Sequence, residues 1–330
     1  MIMLDRKFWK DKRVLVTGFE GFLGSHLTRA ILPIGAKVVG LDIKTFRRQT
    51  ILSSQDYKKL IVFKGSVTNR KLVQDILRRY SINVIFHLAA EAIVGRSHKN
   101  PLCAFESNIA GTWEVLEASR QQGKIQALIV ASSDKAYGSH KQLPYQETAP
   151  LIANHPYDVS KSCADLIANT YFHTYGLPIA ITRCGNIYGP GDFNFSRLIP
   201  DAMRSLALNK RLEIRSDGKF VRDYVYVDDI VAGYLRIAEL LNRRKLYGEA
   251  FNLSDEQPLT VVKLLNQIDK VYPGGRKLNY KIMNTAKYEI KKQYLSSTKA
   301  RQILGWKPRY SLSEGLRKTG KWYAEYFNQV

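Results

Sequence analysis

Short runs of β-branched and aliphatic residues alternate with segments of helical period from Arg13 to beyond Ile187, and few folds are open to such a chain. Lys12 to Thr17, Lys37 to Asp42, Leu60 to Val67, Asn83 to Ala90, Ala127 to Ser133 and Pro178 to Cys184 read as strands. Between them, Leu23, Leu27, Ala30, Ile31 and Ile34 recur on one helix face, as do Leu72, Val73, Ile76 and Leu77 within Arg70 to Tyr80. Further helices are predicted over Pro101 to Arg120 and Tyr157 to about Tyr175. Strand and helix in alternation join neighbouring strands in parallel through crossovers, and a parallel sheet has to be covered on both faces. The predicted class is therefore α/β, a doubly wound parallel sheet of the Rossmann kind.

Past Gly189 the alternation loosens at Pro190, Gly191 and Pro200. Helical signals return at Ile199 to Leu208, Asp228 to Leu241, Val261 to Val271, Thr298 to Leu304 and Ser313 to Phe327, with a short strand near Leu212 to Arg215. The expected organisation is a Rossmann domain over residues 1–189, to which about 222–252 returns, and a smaller C-terminal α/β domain over 190–330. No repeat or flexible linker separates them, so a cleft is expected between the two.

Composition narrows the function classes. The chain carries 51 Lys plus Arg against 29 Asp plus Glu, a formal charge of +22, with 45% hydrophobic residues. That is globular composition, and the basic surplus attracts anions. The charges lie in short clusters such as Arg47-Arg48 and Arg243-Arg244-Lys245, without a basic tail. They read as solvated surface with a local share steering a phosphate-bearing ligand, and a nucleic-acid partner is not expected. Cys103, Cys163 and Cys184 form no CxxC pair, which suits a reducing compartment, and no metal-ligand spacing occurs. Met1 to Arg13 lacks the apolar core of a signal peptide, and no run is long enough to span a membrane.

The segment Val14-Leu15-Val16-Thr17-Gly18-Phe19-Glu20-Gly21-Phe22-Leu23-Gly24 places three glycines between the first strand and the first helix. Gly18 permits the tight turn, Gly21 lets backbone approach a pyrophosphate, and Gly24 lets helix pack on strand. The helix start at Phe22 and Leu23 then offers unpaired N–H groups and a positive dipole. Asp42 ends the second strand, where a carboxylate accepts from both ribose hydroxyls and repels a 2′-phosphate. The cofactor predicted is NAD, with Arg47 and Arg48 close enough to complicate the choice.

Tyr157 and Lys161 are four residues apart on a predicted helix and share one face. An ammonium beside a phenol, helped by a cationic nicotinamide, is expected to bring the tyrosine toward neutrality and make it a base. Ser133, running off a strand end in Ala131-Ser132-Ser133-Asp134-Lys135, can bind the same hydroxyl as Tyr157, and Asp134 and Lys135 are candidates for a second acid and base. His87 reads as structural and Cys184 as packing.

With these residues in place, the sequence resembles the extended short-chain dehydrogenase/reductase superfamily, in its nucleotide-sugar epimerase and dehydratase branch. The resemblance runs through Gly18 to Gly24, His87-Leu88-Ala89-Ala90, Asn108 to Thr112, Ser133 with Tyr157 and Lys161, Arg183 to Gly191, Arg222 to Asp229 and Leu304 to Pro308. Phe8-Trp9 and Ser133-Asp134-Lys135 are most like CDP-glucose 4,6-dehydratases. The resemblance implies Ile43, Ser66, Val67, Leu88, Ala89, Ala90 and Asn108 around the cofactor, and Asn186, Arg197 and Arg222 around the diphosphate of a nucleotide-sugar substrate. It implies Asp134 as the acid for C6 hydroxyl departure and Lys135 as the base at C5. A cytoplasmic homodimer follows from the same resemblance. Ser66-Val67 stands where the family carries Asp-Val, and Phe19-Glu20 where CDP-glucose enzymes commonly carry His-Thr, so the nucleotide of the sugar is less fixed than the chemistry; a C4 epimerase or a decarboxylase, which shares Ser133, Tyr157 and Lys161, is the nearest rival. An idle Rossmann protein binding RNA is the remote rival, and it leaves the Ser, Tyr and Lys set without a purpose.

Overall fold

The structure is a computed structural model that describes residues 5–286 and 289–328; the first four residues of the charged amino-terminal segment lie outside it. Seven parallel strands form the central sheet. They are β1 (Arg13–Thr17), β2 (Lys37–Asp42), β3 (Leu60–Lys64), β4 (Val84–His87), β5 (Ala127–Ala131), β6 (Ile179–Cys184) and a late strand, Ala250–Leu253. Their order is 250–253, β6, β5, β4, β1, β2, β3. The strand order reverses between β1 and β4, the place where open α/β sheets hold their ligands.

Why these runs form a two-sided sheet is visible in how their side chains divide. Val14 and Val16 of β1 join Val84 and Phe86 of β4 and Ile129 of β5 in one core; Leu15, Ile85, Leu128 and Val130 point into the other. The first core is closed by α1 (Phe22–Ile31) through Leu27 and Ile31; the second by α2 (Arg70–Arg79) through Val73, Ile76 and Leu77. Trp9, fully buried, stacks near Phe86 and donates from Nε1 to Glu239 at 2.8 Å.

Two details differ from the sequence reading. The strand predicted to Val67 ends at Lys64, because Gly65 and the Ser66–Thr68 hydroxyl pair turn the chain. The helix predicted over Pro101 to Arg120 is continuous to Gln122 but widens into a π turn at Phe105–Ala110, before α3 (Gly111–Gln122). The next long helix is α4 (Pro156–Tyr175), which starts on Pro156 where a missing N–H costs nothing. A bidentate pair from Arg183 on β6 to Asp165 on α4, both contacts at 2.8 Å, ties that helix to the sheet.

A second body of structure packs beyond β6. It contains β7 (Asn186–Tyr188), α5 (Leu198–Ala207), β8 (Leu212–Ile214), β9 (Val221–Arg222) and β10 (Tyr224–Tyr226). After these come α6 (Val227–Leu240), then β11, the sheet strand Ala250–Leu253, and β12 (Leu259–Thr260). The chain ends with α7 (Val261–Val271), β13 (Tyr280–Ile282), β14 (Lys292–Gln293) and α8 (Leu312–Asn328). Met203, Leu206, Leu264, Leu265, Ile268 and Leu316 form its core, whereas α6 packs through Ile230, Tyr234 and Ile237 onto the central sheet.

Candidate active site

A cleft of about 880 Å³ runs from the glycine loop, across the ends of β4 and β5, to β8 and β9. Gly18, Gly21, Phe22, Leu23, Gly24, Asp42, Ile43, Ser66, Val67, Leu88, Ala89 and Ala90 line one end. Gly18 has φ +70, and a Cβ there would stand 2.9 Å from Ala89 Cα; a Cβ on Gly24 would stand 2.1 Å from the Gly18 carbonyl oxygen. No side chain caps the start of α1. The loop is thus a concave strip of bare backbone at a helix N-terminus, and the residues present fit a dinucleotide pyrophosphate.

Beside it, Asp42 is buried and accepts from Lys44 N at 3.2 Å, from Glu20 N at 3.4 Å and from the Arg47 guanidinium. Burial raises its pKa, against the pull of Arg47. Glu20, which the sequence reading gave no role, is buried and accepts from the backbone N–H groups of Phe46 and Arg47 at 2.6 and 2.8 Å. It folds the 44–47 loop over the ribose end and delivers Arg47 to Asp42. Nothing in the local spacing announces this, since the two partners come from different loops.

Behind the floor of the cleft, the Thr17 hydroxyl accepts from Leu88 N and Ala89 N, both at 3.1 Å, and lies 2.9 Å from His87 Nδ1. Its own proton therefore goes to Nδ1, and His87 donates from Nε2 to Thr112 Oγ1 at 3.1 Å. Burial drives the imidazole pKa down to about 3, so the ring is neutral and structural. Asn108 differs from the expected cofactor contact. It does not line the cleft: its amide donates to Ser160 Oγ at 2.8 Å and Glu91 O at 3.1 Å, and accepts from Glu91 N at 2.8 Å. The π turn swings it into this position, where it steadies the start of α4 through Ser160, which donates to the Tyr157 carbonyl at 2.7 Å.

Ser133, Asp134, Lys135, Tyr157 and Lys161 all face the cleft. Ser133 donates to Asp134 Oδ1 at 2.9 Å and lies near enough to the Tyr157 phenol to lower its pKa. The other Asp134 oxygen, Oδ2, is buried without a partner among the described residues. Lys161 donates from Nζ to Ala131 O at 2.7 Å, and burial lowers its pKa to about 8. The expectation of a phenol brought toward neutrality by Lys161 is corrected here. Burial pushes Tyr157 up to about 12, and the cation that offsets this most is Arg197, followed by the Ser133 hydroxyl. Removing a charge from water outweighs the nearby positive charge, which burial has itself weakened.

Lys135 donates from Nζ to Gln293 Oε1 at 3.1 Å. Asn186 and Arg197 line the cleft; Asn186 donates from Nδ2 to Asp223 O at 3.2 Å and Arg197 to Asp192 Oδ2 at 3.0 Å. Arg222 also lines it, but its guanidinium is engaged by the carbonyls of Val221, Ile290 and Lys291. Asp158 escaped the sequence reading altogether. It is buried at the cleft, next to Lys135, Asp134, His155 and Arg222.

A family described as GDP-mannose 4,6 dehydratase matches the chain over residues 15–319. The chain is 30% identical to a CDP-glucose 4,6-dehydratase of Salmonella typhimurium, covering 97% of this chain and 93% of the relative. Among solved structures, it is similar to a UDP-glucose 4-epimerase with UDP-glucose from Thermotoga maritima, with TM-score 0.86 and 28% identity over 95% of this chain and 99% of that one. A dTDP-glucose 4,6-dehydratase from Bacillus anthracis in complex with NAD superposes with TM-score 0.84 and 29% identity, over 95% and 97% of the two chains.

Proposed function

The chain belongs to the GDP-mannose 4,6 dehydratase family, and from that membership and the cleft's geometry we propose that it is an NAD-dependent nucleotide-sugar 4,6-dehydratase. Its substrate is a nucleoside-diphosphate glucose, CDP-glucose first among them, and its product a 4-keto-6-deoxy sugar. Residues 1–189, with about 222–252, are the cofactor half; the remainder of 190–330 receives the nucleotide sugar. Gly18, Gly21, Gly24 and Asp42 would hold NAD, which would supply hydride-accepting and hydride-returning chemistry for C4 and C6.

Each proton step falls to a side chain of the cleft. Tyr157 takes the C4 hydroxyl proton, with Ser133 orienting that hydroxyl and Arg197 favouring the phenolate. The new ketone acidifies C5, and Asp134 protonates the C6 hydroxyl as it leaves. Ser133 donates to Asp134 Oδ1 and shares the cleft with Tyr157, so the hydroxyl it orients at C4 lies on the side of the acid that acts at C6. The C5 base comes from the same polar corner, where the sequence reading placed Lys135. The single observation carrying this reading is the buried, unpartnered Asp134 oxygen beside Ser133, which a C4 epimerase has no use for.

The epimerase is the second reading, favoured by the similarity to the Thermotoga enzyme. We also read the chain as a cytoplasmic homodimer, pairing through the helices on which Leu102, Trp113 and Leu166 stand exposed. Among the described residues no helix is long and apolar enough to cross a membrane. The test is a panel of CDP-, UDP-, dTDP- and GDP-glucose followed by mass spectrometry. One of them should yield a product lighter by one water; recovery of unchanged mass from all four refutes the dehydratase.

A further inference from the structure

Lys135 is an awkward base. To take a proton from carbon it must be neutral, yet its ammonium donates to the Gln293 carbonyl, a side chain fully buried on β14. That contact turns Nζ toward Gln293. The same corner holds a carboxyl with the opposite character. Asp158 is 5% exposed, sits one residue beyond Tyr157 in the first turn of α4 and lines the cleft. Its Oδ1 is buried and has no partner among the described residues. A carboxylate in a helix's first turn normally loses proton affinity to the dipole; here burial dominates.

Resting on the dehydratase reading, we propose that Asp158 is the base that removes the C5 proton, with Lys135 kept on Gln293 beside it. The C5–H bond breaks toward Asp158, its electrons pass into the C4–C5 enolate, and Lys135 balances the charge of the corner. The C6–O bond then breaks as Asp134 donates its proton, and water leaves. After hydride has returned to C6, Asp158 gives its proton back to C5, so the base ends the cycle as it began it.

The surroundings suit the task. Burial and the neighbouring Asp134 raise Asp158 to about 6, while Lys135, His155 and Arg222 pull it back. Tyr157 and Tyr145 face it as neutral phenols at neutral pH, both pushed up to about 12. At pH 7 Asp158 is therefore mostly ionised yet more basic than an exposed carboxylate, the condition for general-base work near neutrality. Asp134 and Asp158 line the same cleft, which puts an acid and a base within one pocket.

The experiment uses full-length Asp158→Asn, Asp158→Glu and Lys135→Met with the nucleotide-glucose turned over by the parent protein, in D2O. Asp158→Asn should cut dehydration by about 10²–10⁴-fold and let the C4-oxidised sugar accumulate without deuterium at C5. Asp158→Glu should recover part of the C5 exchange. Lys135→Met should still exchange C5 and keep an acid limb in the rate profile, moved above pH 6 because the cation that lowers Asp158 is gone. Normal exchange in Asp158→Asn, or loss of exchange in Lys135→Met alone, overturns the assignment. If Asp158→Asn does not fold, the limb decides: its disappearance in Lys135→Met refutes Asp158, its persistence supports it. Should the parent protein remove water from no nucleotide-glucose, the dehydratase reading has failed and the assignment falls with it.

Discussion

Adding one methyl group to Gly24 tests the cofactor cradle directly. A Cβ there would lie 2.1 Å from the Gly18 carbonyl oxygen, about 1.3 Å short of the 3.4 Å at which ordinary contact begins, and 2.9 Å from the Phe19 Cα. Both neighbours are backbone, so relief requires the turn between β1 and α1 to move. Overpacking of this kind costs about 1–3 kcal/mol. If the loop moves out of the position that holds a pyrophosphate, the same strain appears in binding, a loss of about fivefold to a hundredfold in NAD affinity at 1.4 kcal/mol per decade. Calorimetric titration of NAD into Gly24→Ala reads this, with thermal melting to separate affinity from stability. Parent-like affinity in a folded Gly24→Ala protein would refute the cradle.

Tyr157→Phe should lower C4 oxidation by about 10²–10⁴-fold while leaving NAD affinity within a few-fold, as read by single-turnover kinetics beside equilibrium titration. Asp42→Ser should weaken NAD about tenfold to a hundredfold, for the loss of about 1.5–3 kcal/mol of charge-assisted hydrogen bonding, and narrow the preference over NADP because Arg47 is released. Asp223 is buried and pushed up to about 7 from 3.8, with Oδ1 unpartnered and Oδ2 accepting from Leu295 N at 3.0 Å. The folded protein thus binds more protons than the unfolded chain between those values, and this carboxyl makes stability fall as pH rises through that window. Melting of Asp223→Asn from pH 4 to pH 7 should show a flatter fall than the parent; an unchanged slope sinks the explanation.

The sheet was legible because strands buried on both faces spell themselves as short aliphatic runs, as in Val14 to Val16 and Leu128 to Val130. The glycine loop and the Tyr157/Lys161 spacing were legible for the same reason: turn geometry and helical period are local. What depended on tertiary placement was not. Asn108 sits on the predicted helix, yet the π turn directs its amide away from the cleft. Glu20 matters because a distant loop folds onto it. Asp158 follows a residue already singled out, and an adjacent helical position does not share its neighbour's face, so its burial beside Lys135 could not be read from spacing. The phenol's proton affinity was misjudged because charge pairs can be counted in a sequence and desolvation cannot.

The central claim is that oxidation at C4 and reduction at C6 occur on one sugar held against one dinucleotide. CDP-glucose deuterated at C4, incubated with the protein and NAD without any added reductant, tests it by locating the label in the product. The account predicts a 4-keto-6-deoxy sugar with the deuterium at C6. Deuterium still at C4 in a hexose of unchanged mass would contradict it and leave the epimerase standing.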